Sequence, residues 1–103
     1  MTDLEGVRRE WGSGFRRYEQ ALRENAHPER LENQFDVVSA ELRRRVGGTF
    51  ALRDLARAYE QADTWTLQAV EQHAPGPGWA RSVSMVTDAA FHVYARGAID
   101  YTP

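Results

Sequence analysis

Asp88 and His92 stand four residues apart in a helical stretch, which puts a carboxylate and an imidazole on one face. Metal ligands sometimes use that spacing, with His73 and Glu71 as further donors from another element. No HExxH or Glu-x-x-His pair accompanies it, so the expected state is a surface Asp88–His92 hydrogen bond that tunes the imidazole. Ser13, Ser39, Ser82 and Ser84 lack the strand–turn–helix context of an activated serine. The chain has no Cys and all 13 of its basic residues are Arg, which excludes thiol nucleophiles, disulfides, Cys-type zinc sites and Schiff-base chemistry. No catalytic residue, metal or cofactor is therefore expected, and the chain reads as non-enzymatic.

A helix-turn-helix is the next candidate. Leu52, Leu55 and Ala56 match the opening of such a motif, but Glu60 occupies the position where Gly is preferred. The would-be recognition helix, Asp63-Thr64-Trp65-Thr66-Leu67-Gln68, carries no positive charge. Phosphate contact dominates DNA affinity, so an amphipathic helix hairpin is the stronger reading of residues 52–70. A DNA-associated regulator, dimeric and with its elements about 34 Å apart, stays as the alternative.

Arg8, Arg9, Arg16, Arg17 and Arg23 suggest a basic face. Residues 1–24, however, hold five Arg and five acids. Glu5–Arg9, Glu19–Arg23 and Arg16–Glu19 have helical ion-pair spacing, which predicts a solvated, neutralised surface. An Arg-lined dock for an acidic partner is the competing reading. With a formal net charge of −2 the chain lacks the basic balance usual in nucleic-acid domains.

The aromatics and the remaining Arg suggest a protein contact. Trp79 follows a stiff Pro-Gly-Pro-Gly loop, and Tyr94 and Tyr101 bracket Arg96. Aromatic residues and Arg dominate binding hot spots, so Trp79, Phe91, Tyr94, Arg96 and Tyr101 form the candidate partner-docking patch. The expected partner is another protein, a second copy of the chain included. A small ligand- or metal-binding bundle using His73, Asp88 and His92 is the weakest reading.

The elements that position these groups follow from punctuation and periodicity. The 103 residues suit one domain with a modest core. Breaks fall at Asn25–Pro28, Gly47–Thr49 and Pro75–Gly78. Leu4, Val7, Trp11, Phe15, Tyr18 and Leu22 form one helical stripe from about Thr2 to Glu24, with Thr2 and Glu5 as a capping box. Gly12 and Gly14 interrupt it, each costing about 1 kcal/mol relative to Ala, and they allow either close packing or a kink.

Pro28 opens a second helix with Leu31, Phe35, Val38, Leu42 and Val46 on one face, and Gly47 ends it. From Thr49, a candidate N-cap, a third segment runs to about His73, either unbroken or divided near Asp63. A fourth starts between Ser82 and Thr87, with Val83, Val86, Ala90, Val93 and Gly97 inward. The expected architecture is an all-α, four-helix, antiparallel bundle. Apolar runs are too short to span a membrane, and the acidic start lacks an apolar leader region, so a cytoplasmic location is expected. Arg without Lys, abundant Ala and a single Ile point to a GC-rich bacterial coding sequence.

Overall fold

A computed structural model describes residues 3–102, which form α1 (Leu4–Glu24), α2 (Pro28–Val46), α3 (Leu52–Glu60), α4 (Ala62–His73) and α5 (Trp79–Ala95). The chain is all-α, but five helices replace the four expected. The third segment divides at Gln61, two residues before Asp63, and Asp63 does not cap the new helix. At Gln61 the backbone opens to φ −111° and ψ 7°, and its N–H donates to Ala58 O at 3.4 Å instead of continuing the helical ladder. Tertiary burial decides the division, because Leu52, Leu55 and Ala56 before it and Ala62, Trp65, Thr66, Ala69 and Val70 after it all reach the core.

The arrangement also departs from a simple bundle. α5 contacts each of the other four helices and shares its largest interface with α1. Its buried set is Val83, Val86, Thr87, Asp88, Ala89, Ala90, Phe91 and Ala95, which covers most of its circumference. A helix apolar on nearly all sides belongs inside a fold, and the alanines let neighbours approach. Val93, expected inside, is instead 37% exposed.

The helix ends correct several local expectations. Thr2, and with it the proposed capping box, lies outside the described residues. Asp3 precedes α1, and Val7 N–H donates to Asp3 O at 3.0 Å. Thr49 does not cap α3. Phe50 enters the core there and Ala51 occupies the N-cap, with its N–H donating to Asp54 Oδ2 at 3.0 Å. α5 starts at Trp79, earlier than expected, because Gly78 takes φ +70° and Trp79 N–H donates to Gly76 O at 3.0 Å. Gly47 ends α2 as expected, at φ +85° and ψ −173°, a region open only to glycine.

The tail completes the fold. Ile99 N–H donates to Phe50 O at 2.9 Å, and Asp100 Oδ1 accepts the N–H of Leu52 at 2.8 Å. A carboxylate thus sits on the positive end of α3 and ties the chain after α5 to the α2–α3 loop. Buried Gln34 makes a similar tie elsewhere, donating to Trp79 O at 3.1 Å and accepting from Ser82 Oγ at 2.7 Å.

Candidate functional site

α1 remains helical through both glycines and is not interrupted there. The glycines serve the approach to α5. A Cβ on Gly14 would overlap the Cβ of Asp88, so only glycine fits at that contact. Gly12 lies two residues back, where a Cβ would find His92 and the Arg16 guanidinium at 3.7 Å. Beside Gly12 a groove of about 620 Å³ opens between the N-terminal half of α1 and the C-terminal end of α5. That volume lies in the range of ligand pockets.

Arg8, Arg9 and Arg16 line the groove from α1, and His92, Arg96 and Tyr101 line it from α5 and the tail. Among the described residues Glu5 is the single carboxylate in the lining. The ion pairs expected to neutralise α1 do not form: among the described residues, Arg8, Arg9, Arg16 and Arg96 have no carboxylate within 4.0 Å. Exposed i,i+4 pairs contribute only about 0.3–0.5 kcal/mol, which aromatic contacts can match. Arg8 lies 5.8 Å from the Tyr101 ring centroid and Arg96 lies 5.7 Å from that of Phe15. By contrast, two of the arginines at the end of α2 do find a carboxylate. Arg44 and Arg45 both donate to Glu41, whose carboxyl is held below its usual range by these contacts, the Arg44 hydrogen bond foremost.

His92 sits between two of the free guanidiniums. Its ring packs on Phe15 with centroids 4.8 Å apart, and Arg96 Nη2 approaches Nε2 at 3.2 Å. Guanidinium can only donate, so Nε2 accepts and the imidazole proton resides on Nδ1. Burial pushes the His92 pKa down, and Arg96 and Arg16 push it further, against a weaker opposing pull from Glu19.

Asp88 does not meet His92. It is buried against α1 and accepts a hydrogen bond from Tyr59 Oη at 2.7 Å, with Arg17 at 3.8 Å. Burial raises its pKa, and the Tyr59 hydrogen bond partly opposes that rise. His73 is exposed at the end of α4. Among the described residues no three His, Cys, Asp or Glu side chains gather as metal ligands would.

The predicted docking patch divides. Arg96 and Tyr101 reach the groove. Tyr94 stacks on Phe50 at 5.1 Å and donates its hydroxyl to Gly47 O at 3.1 Å, as a half-buried clamp on the α2–α3 loop. Phe91 is fully buried, with Trp11, Tyr59 and Trp65 around it, and cannot meet a partner. Trp79 lies 15 residues before Tyr94 along α5, about 22 Å away by helical rise. There it borders a second hollow of about 470 Å³ under the Pro-Gly loop.

Sequence reasoning set aside Arg8, Arg9 and Arg16 as paired. The signal that could have recovered them is Gly12, four residues from both Arg8 and Arg16. Beneath them Trp11 is buried, and its indole N–H has no acceptor among the described residues.

The outward face of α4 carries Asp63, Thr64, Leu67, Gln68 and Glu71, while Thr66 turns inward and donates to Ala62 O at 2.6 Å. No described helix is long and apolar enough to cross a membrane. Comparison with protein-family models, with curated proteins and with solved structures finds no match to the chain.

Proposed function

We propose that the chain is a non-enzymatic helical interaction module that docks a protein partner through the α1–α5 groove. The observation that carries this reading is the groove lining: four arginines without carboxylate partners among the described residues, two of them over aromatic rings, around a cavity of about 620 Å³. Arg and aromatic side chains supply most binding hot spots. Among the described residues the exposed large apolar side chains are Leu67, Val93 and Ile99, so recognition would rest on these polar and ring contacts rather than on an apolar strip.

The division at Gln61 favours the alternative, DNA contact through α3 and α4. The acidic outward face of α4 and the inward turn of Thr66 weigh against it. A photoreactive residue in place of Glu5, on the groove rim, tests both, with one in place of Gln68 as its counterpart on α4. The docking reading expects nuclease-resistant cross-links to one protein from position 5 and none from position 68. Nuclease-sensitive cross-links from position 68 alone would replace it with the DNA reading.

A further inference from the structure

The groove holds two cationic stations. At one, Arg16 Nη1 and the His92 ring both lie near the open space above Gly12, and Arg96 reaches His92 Nε2 at 3.2 Å. At the other, Arg8 over the Tyr101 ring joins Arg9. Arg9 and Arg16 are seven residues apart on one helix, which separates the stations by about 10 Å. Ala95, Ser13 and the edge of Trp11 lie in the lining with them.

A single small anion spans only one station. A peptide in the polyproline II conformation places residues i and i+3 on one face about 9 Å apart, so two acidic side chains on it match both. A long phosphate backbone would leave the groove and meet Glu10, Glu19 and the other acids that give the chain its net −2. A short acidic segment confines its charge to the groove.

We infer that the α1–α5 groove is a receptor for a short acidic peptide segment, one carboxylate seated by Arg16 and Arg96 and a second by Arg8 and Arg9. This rests on the docking reading above and names the chemistry of the partner. Charge-assisted guanidinium–carboxylate bonds provide the affinity, and the rings give the peptide's apolar atoms a surface.

The test titrates the full chain with a synthetic peptide of about ten residues carrying glutamates at i and i+3, the same-face spacing of a polyproline II segment, and with its glutamine counterpart. The histidine ring resonances are followed by NMR. His92 lies in the groove, whereas His27, at the α1–α2 junction, and His73, at the end of α4, are exposed and outside its lining. The glutamate peptide is expected to shift His92 alone and to raise its pKa, because a nearby carboxylate favours the imidazolium. The glutamine peptide is expected to bind at least about tenfold more weakly, and added salt to weaken the glutamate peptide.

Combined Arg16→Gln and Arg96→Gln are expected to weaken binding about tenfold or more, with helicity by circular dichroism showing the fold intact. Arg53→Gln, on the exposed face of α3, is expected to leave binding unchanged. Equal binding of both peptides, no shift of His92 at millimolar glutamate peptide, or tighter binding of a single-stranded oligonucleotide would each overturn the inference. A protein cross-linked at position 5 that binds independently of salt and of the arginines would leave the docking reading standing and this one rejected.

Discussion

Gly14 on α1 stands directly against the Cβ of Asp88 on α5, at a contact where any side chain on residue 14 would overlap it. That single approach sets the spacing of the two helices and, through it, the shape of the groove beside Gly12. Gly14→Ala is expected to destabilise the fold by about 1–3 kcal/mol through overpacking, despite the helix propensity gained. Gly12→Ala meets nothing closer than 3.7 Å and is expected to be neutral or to stabilise by up to about 1 kcal/mol. Urea denaturation of the two variants checks the contrast, and equal effects would refute it.

Asp88 is a buried carboxylate with a raised pKa, so the folded chain holds its proton more tightly than the unfolded chain does. Its contribution to stability is complete below the unfolded carboxylate range and is lost as pH rises through the folded value. Asp88→Asn retains an acceptor for Tyr59 and is expected to flatten this dependence while holding or raising stability at neutral pH. Tyr59→Phe removes the donor 2.7 Å from the carboxylate and is expected to cost about 1–3 kcal/mol. Melting midpoints at neutral and mildly acidic pH measure both. An unchanged pH slope in Asp88→Asn would show that another group is responsible.

His92 behaves in the opposite sense. Its folded pKa is lowered by burial, Arg96 and Arg16, so its contribution is lost as pH falls from the unfolded histidine value toward the folded one. Arg16→Gln or Arg96→Gln removes one of the two flanking charges and is expected to raise the His92 pKa, read from its ring resonances. A His92 titration indifferent to both substitutions would contradict the placement of the guanidiniums.

Asp100 holds the tail to the start of α3 through the N–H of Leu52. Asp100→Ala is expected to cost about 0.5–2 kcal/mol, the usual range for a lost cap. It is also expected to speed hydrogen exchange at Leu52 and at Ile99, whose N–H donates to Phe50 O at 2.9 Å. Unaltered exchange at both amides would show that the tail stays in place without its carboxylate.

The helical class and the stripes of α1 and α2 were legible because local periodicity and Pro or Gly punctuation carry them. Trp11, Tyr18, Leu31, Val38 and Leu42 are buried where their spacing put them. Phe91 was legible as apolar but not as central, because the burial of most of α5 depends on four other helices. The Asp88–His92 pair failed for a related reason. Positions four apart share a face, yet Gly14 and Tyr59 draw Asp88 inward while Phe15 and Arg96 hold His92 at the groove.

The sequence by itself determined that the chain is all-α, where its main breaks fall, and which chemistries its lack of Cys and Lys removes. Those properties depend on residue type and on spacing within a few turns. Only the tertiary structure decided that most of α5 is covered, that α3 and α4 are separate, and that Arg8, Arg9, Arg16 and Arg96 face one groove without carboxylate partners among the described residues. A surface ion pair is worth a few tenths of a kcal/mol, so spacing alone cannot choose between a carboxylate on the same helix and a ring on another. Packing makes that choice.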